Sequence, residues 1–364
     1  MRESASGPEP QLFPTTEEGK PATPPNVDHV KYSSRATTLV SELATALGTI
    51  RKTLPEALAY KPTELLDVPD AAWTALTDLH TTRKHSELFA MSFANGRAFA
   101  ESPLALRHRQ PQVVEWCGPR KLAGEHAIPA DLRVDDVYLI SCKYNSRHLL
   151  NSSPAKLFEH RLCETRRSPS WYEEVAPDEY QAYFNAVRTH FGLHDLPDDV
   201  RVLSDDHRAT IARSLPTYLP NDLAEMQTAF SNAVADESAS RWNTSLNTKK
   251  KRSDFAMSLL RIPQAVYFLL GQKGTTAQRF KVLSRWDWAL RYEIVDFVIS
   301  PSAAMQPTVQ WKLGVLDRQS NVSYSATGHV EIRWSHGRFN GVPEAKVVLD
   351  SDLHETPGYL SLDV

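Results

Sequence analysis

Hydrophobic periodicity is absent at the start of the chain and begins near Ser34. Residues 1–30 carry Pro8, Pro10, Pro14, Pro21, Pro24 and Pro25 among Ser, Thr, Glu and Gly. Few large apolar side chains are present to offset ordering entropy, so a flexible tail is expected there. Beyond it, Leu39, Leu43, Leu47 and Ile50 fall at helical spacing, which predicts a helix. A second helix is expected over 71–79. A third is expected over 82–99, with Leu88, Phe89, Met91, Phe93 and Phe99 as its apolar side.

The period then shortens. Val113, Val114, Glu115 and Trp116 read as a strand that Gly118 and Pro119 stop. Two β-rich runs follow, 129–134 and 137–143, on either side of Asp135-Asp136, which is a hairpin signal with the turn type left open. A helix is expected over 153–163, with Asn151 or Ser152 near its cap and Pro154 in its first turn. Residues 170–260 look mainly helical, with Tyr180, Tyr183, Val187 and Phe191 as apolar positions and the run Lys249 to Arg252 as an interruption. From Gln264 the chain turns β-rich, over 265–270, 280–283, 294–299, 309–315, 329–334 and 347–349. This order predicts an α+β fold with an α/β core, a helical insertion and a β-rich C-terminal part.

Composition narrows the picture. The chain has 364 residues, of which 41% are hydrophobic and 23% charged, so wholesale disorder and fibrous classes are excluded. The formal net charge of -3 excludes a uniformly basic nucleic-acid coat but not a local basic cleft. Cys117, Cys142 and Cys163 have no metal-ligand spacing and no even count, which points to a reducing compartment. No apolar run reaches ~18 residues, and Met-Arg-Glu-Ser opens no secretory signal. A cytoplasmic protein without membrane association is expected.

The hairpin carries the sharpest chemistry. Asp131 starts its first strand, while Ser141 and Lys143 lie two apart near the end of the second and share one face. Lys143 ends an apolar run, and a buried lysine needs water, a carboxylate or a ligand. Pairing about Asp135-Asp136 brings the carboxylate and the ammonium to one sheet edge. Carboxylates hold Mg²⁺ through oxygen, and a lysine beside them serves an attacking water or a developing phosphate charge.

Pro129-Ala130-Asp131, followed ten residues later by Ser141-Cys142-Lys143, resembles the PD-(D/E)XK nuclease motif, over residues 84–165. The resemblance implies a restriction-endonuclease-like mixed sheet flanked by helices, and a Mg²⁺-dependent (or Mn²⁺-dependent) endonuclease acting on DNA. In that reading Asp131 is a metal ligand, Lys143 is the catalytic lysine and 265–270 is the final core strand. Ala130 separates Pro129 from Asp131, and Ser141 stands where a second acid is usual. Some members with serine there recruit a glutamate from the following helix, which points to Glu159, then Glu164. Glu115, Glu87 or Glu101 would add an upstream ligand, as the first helix of the family often does.

Other positions carry weaker signals. Arg147 and Ser146 follow Lys143 in a polar loop able to meet phosphates. Arg107 and Arg109, with Arg161, Arg166 and Arg167, flank the core as basic clusters, although solvated faces carry such residues equally. In the strand near 329–334, His329, Glu331, Arg333 and Ser335 share a polar face opposite Val330, Ile332 and Trp334. Arg333 or Arg338 would there reach guanine in a groove, and a metal set of His329, Glu331 and His336 fits no strong motif. Trp286 and Trp288 read as core or interface aromatics on one face around Asp287. No phosphate-binding glycine loop is present.

The organisation expected is a Pro-rich tail over 1–33, N-terminal helices over 34–80, a nuclease core over 81–170, a helical insertion over 171–262 and the β-rich part over 263–364. The function expected is restriction or defence against foreign DNA, with a possible homodimer because cutting both strands needs two sites. Its rivals are a DNA-binding protein with a degenerate nuclease fold and a protein-interaction subunit.

Overall fold

The computed structural model describes residues 32–118, 130–144, 148–158, 170–216, 218–302 and 306–363. The expected tail, Glu159, Glu164, Cys163, Arg147 and the cluster of Arg161, Arg166 and Arg167 lie outside the described residues. The fold is mixed α/β: a mixed sheet flanked by helices, followed by an antiparallel sheet.

Four helices come first: α1 (Tyr32–Ile50), α2 (Leu54–Tyr60), α3 (Asp70–Thr81) and α4 (Ser86–Glu101), with the short strand β1 (Leu65–Leu66) between α2 and α3. The strands β2 (Val114–Trp116), β3 (Leu132–Val134), β4 (Tyr138–Tyr144) and β5 (His148–Ser152) follow. Among the described residues six α-helices come next: α5 (Pro154–Phe158), α6 (Trp171–Val175), α7 (Pro177–His190), α8 (Asp205–Ser214), α9 (Asn221–Ser245) and α10 (Lys249–Leu259). The rest comprises β6 (Tyr267–Lys273), β7 (Thr276–Val282), α11 (Arg285–Arg291), β8 (Tyr292–Ser302), β9 (Thr308–Asp317), β10 (Val322–Trp334), β11 (Pro343–Leu349) and β12 (Tyr359–Ser361).

The first sheet has the order β1-β2-β3-β4-β6-β7-β12, and the second β5-β11-β10-β9-β8. In the first, β4 and β6 are parallel, with Lys143 opposite Gly271, although the whole of α6–α10 separates them in the chain. The strand read near 265–270 thus lies beside the Lys143 strand as β6, but it is not the last of the sheet, which β7 and β12 extend.

Alternation along the strands divides the interior into two cores. Leu132, Val134, Ile140, Phe268 and Leu270 face α1, α3 and α4. Tyr267, Leu269, Phe280 and Val282 face the other way, into a core shared with α6–α10 and the second sheet. The crossing of α1 and α4 is unusually close. A Cβ on Gly48 would lie 2.2 Å from the Phe93 carbonyl oxygen, and one on Gly96 would lie 2.1 Å from that of Thr45.

Several local expectations are corrected. Trp286 and Trp288 lie on the helix α11, where residues two apart diverge, so Trp288 is buried and Trp286 is 73% exposed. The basic run from Lys249 opens α10 behind a Thr248 cap. Like charge at a helix N-terminus is unfavourable, and it is offset by ion pairs from Lys249 to Glu293 and from Lys250 to Asp254. Residues 148–152 form β5 on β11 of the second sheet, ahead of a helix whose Lys156 amide donates to Ser153 Oγ. Among the described residues no helix is long and apolar enough to cross a membrane.

Candidate active site

Core packing fixes the register that brings Asp131 and Lys143 together. Leu132 pairs with Ile140 and Val134 with Tyr138, and Leu132, Val134 and Ile140 are fully buried under the first helices. Ser141 and Lys143 therefore share the opposite face, while Asp131 lies just ahead of β3, where its amide donates to the Ile140 carbonyl at 2.8 Å. A slip of one residue would drive Arg133 into that core, so the register is strongly specified.

The turn between the strands holds Asp135 (φ 50°) and Asp136 (φ 58°) in the left-handed region, as a tight hairpin turn requires. Aspartate is used rather than glycine because Asp135 Oδ1 accepts from the amides of Gln112 (2.7 Å) and Val113 (3.1 Å). The turn thereby ties the approach to β2 onto the hairpin.

Asp131 is half-buried. Its Oδ2 accepts from the Cys142 amide at 2.6 Å and from Ser141 Oγ at 3.4 Å. The first contact is short and charge-assisted, and it fixes the carboxylate against β4. Ser141 is completely buried, so its hydroxyl serves Asp131 rather than solvent. Lys143 is half-buried two residues along the same strand.

The sequence reading missed Glu42 on α1. This glutamate is only 7% exposed, and its Oε2 accepts from Trp116 Nε1 at 2.6 Å. Burial, then the nearby charge of Asp131, raise its carboxyl from 4.5 to about 7, opposed by the Trp116 hydrogen bond and the charge of Lys143. Glu42 therefore stands within the electrostatic reach of both hairpin residues. Perturbation of this kind is concentrated at functional sites. The sequence carries no signal for this, because Arg35, Thr38, Glu42, Thr45 and Thr49 fall at helical spacing and read as an ordinary polar stripe.

The same burial, together with Asp131 and Glu42, pushes the Cys142 thiol well above its ordinary range. It is not a nucleophile at neutral pH.

A polar network braces the Lys143 end of β4 from beneath. A Cβ on Gly271 would lie 1.7 Å from the Lys143 carbonyl oxygen, so only glycine lets β6 pass here. The Asn95 amide donates to the Gly271 carbonyl (2.9 Å) and to the Tyr144 hydroxyl (3.0 Å), while its oxygen accepts from Arg279 Nε (2.8 Å). Thr45 spends its proton on the Ser41 carbonyl (2.6 Å), so the Tyr144 hydroxyl is the donor in their 3.0 Å contact. Burial pushes the Tyr144 phenol up to about 12, which keeps that proton in place.

The other residues singled out from the sequence are spread out. Glu115 pairs with Arg133 at 3.2 Å. Glu87 is exposed in the first turn of α4, and Glu101 pairs with Arg97. Arg107 and Arg109 are exposed beyond α4, with Arg109 donating to the Tyr138 hydroxyl at 3.0 Å. Arg333 and Arg338 lie away from the hairpin, around a cavity at the end of β10. His329 of β10 pairs with Asp350 at 2.9 Å.

Among the described residues no group of three or more His, Cys, Asp or Glu side chains is arranged to hold a metal ion. Asp131 and Ser141 of the hairpin and Glu42 of α1 offer oxygen donors. That chemistry suits a hard cation such as Mg²⁺ or Mn²⁺. Comparison with protein-family models, with curated proteins and with solved structures finds no match to this chain.

Proposed function

We propose that the chain is a metal-dependent endonuclease with a restriction-endonuclease-like core, hydrolysing phosphodiester bonds of DNA. The observation that carries this reading is the coupling of three groups: Asp131 and Lys143 at one end of a register-locked hairpin, and a buried Glu42 whose carboxyl the Asp131 charge helps raise to about 7. Two carboxylates that repel each other in this way favour a cation between them.

Asp131 and Glu42 would hold the ion, with Glu159 the further acid expected from the sequence. A bound Mg²⁺ would supply charge neutralisation at the phosphate and a more acidic water. Lys143 would offer its ammonium to the negative charge developing on the phosphate, or to a water losing a proton. The Cys142 amide and Ser141 keep Asp131 oriented. Recognition of substrate falls to the second sheet and the helices packed on it. The free thiol of Cys142 suits a reducing compartment such as the cytoplasm, and a homodimer would give two sites for two strands.

Ser141 favours a second reading. Its buried hydroxyl occupies the place of an acid, and a protein that binds DNA without cutting it would tolerate that loss. Incubation of plasmid DNA with Mg²⁺ separates the two. The wild type is expected to nick or linearise the plasmid, with a loss of about 10²-fold or more in Asp131→Ala and Lys143→Ala. A wild type that shifts the DNA in a gel but leaves it intact supports the non-catalytic reading. No salt-dependent affinity for DNA at all would favour a protein-interaction role.

A further inference from the structure

We propose that the cavity between α9 and the end of β10 is a nucleobase-binding site, with the phosphate attached to the base held by Arg333 and Arg338. The cavity measures about 240 Å³. That is slightly below the ~300–1,000 Å³ of sites for drug-sized ligands, and it fits one ring system rather than an extended molecule.

Its walls select the ligand chemistry. Phe230 and Trp334 line it, stacked on each other at 5.8 Å and 25°, and Ile332 adds a further apolar surface. Such a lining takes a flat, apolar face. Gln306 also lines the cavity, and its Nε2 is buried without a hydrogen-bond partner. A buried amide donor left unpaired is costly, so the missing partner is an acceptor on the ligand. Arg333 and Arg338 bring two guanidinium groups, and the lining includes no acidic side chain. Arg333 Nη1 does lie 3.9 Å from Glu331 Oε2, too far for a strong bond, and Arg338 Nη1 donates to the Pro216 carbonyl at 3.1 Å, a neutral acceptor that leaves its charge in place.

A cation is excluded by this charge pattern, and a purely apolar ligand would leave Gln306 unsatisfied. A heteroaromatic ring with acceptors on its edge and an anion beside it meets every requirement. Free mononucleotides have that chemistry, and so does a base turned out of a DNA duplex, since bases extruded from the stack are read by apolar walls and edge hydrogen bonds. The DNA source rests on the nuclease reading above; the free nucleotide does not.

The full chain would be titrated by calorimetry with each of the four deoxynucleoside monophosphates in EDTA. Fluorescence anisotropy would compare a duplex containing one unpaired base with its fully paired counterpart. Arg333→Ala and Gln306→Leu would be measured alongside, with circular dichroism and thermal melting to establish that both fold. At least one monophosphate is expected to bind, or the unpaired-base duplex to bind more tightly than the paired one, with about a tenfold loss in each variant. Preference for the unpaired duplex identifies DNA as the source, and equal binding of the two duplexes identifies the free nucleotide. The proposal is overturned if no monophosphate binds and the two duplexes are equivalent, or if binding is unchanged in both variants. Neither titration reads cleavage, so a chain that binds a base but cuts no DNA sinks only the nuclease reading.

Discussion

Glu42 offers a quantitative test of the site's electrostatics. Its carboxyl is raised from 4.5 to about 7, first by burial and then by Asp131. Between those pH values the folded chain keeps a proton that the unfolded chain has released. Stability is therefore highest below about pH 4.5 and falls as pH rises through about 7. At roughly 1.4 kcal/mol for each tenfold change in proton affinity, the cost above pH 7 is about 3 kcal/mol. Glu42→Gln stays neutral and can still accept from Trp116 Nε1, so it escapes the cost. Urea denaturation followed by tryptophan fluorescence, at pH 5 and pH 8, would measure it. Titrating groups remote from Glu42 are common to both proteins and cancel in the difference, which leaves Glu42 and its coupled neighbour Asp131. The variant should gain most of the ~3 kcal/mol over wild type between the two pH values. Added Mg²⁺ at pH 8 should stabilise the wild type more than the variant. If the difference between the two proteins is the same at both pH values, the assigned burial and coupling of Glu42 are wrong.

Three further outcomes follow from neighbouring features. Gly271→Ala should destabilise the fold by about 2–3 kcal/mol or more, because the added carbon meets the Lys143 carbonyl and overpacking has few escapes there; the urea midpoint reads it. Asn95→Leu should cost about 1–3 kcal/mol, since it leaves the Gly271 carbonyl without its buried donor while Arg279 keeps its ion pair with Asp363, and any cleavage activity should fall with it. Asp317 is held at about 2, chiefly by its hydrogen bonds from Arg291. Its stabilisation is present above about pH 4 and lost as pH falls towards 2, so Asp317→Asn should flatten acid unfolding between those values, as followed by circular dichroism.

The hairpin was legible in the sequence because its apolar residues alternate with the register that the structure uses. Leu132, Val134 and Ile140 could satisfy only one pairing. The β-rich end was legible for the same reason, as Val330 and Ile332 show. What escaped depended on partners remote in the chain. The strand His148–Ser152 looked like a helix entry because its only pairing is with β11, far downstream. Glu42 escaped because a helical glutamate normally faces water, and only the packing of α4 and the sheet around α1 removes that option. The two tryptophans of α11 were misplaced because a short stretch fits either period until its neighbours decide.

The pairing of Lys143 with Gly271 also bears on how the protein is made. The strand that carries the lysine gains its second neighbour only after all the intervening helices have left the ribosome, and contacts so distant in sequence form late and slowly. A nascent or truncated chain ending before Gly271 would hold Asp131 and Lys143 on an unsupported hairpin. On the proposed nuclease reading, such a delay would keep Asp131 and Lys143 from forming a working site until synthesis is nearly finished.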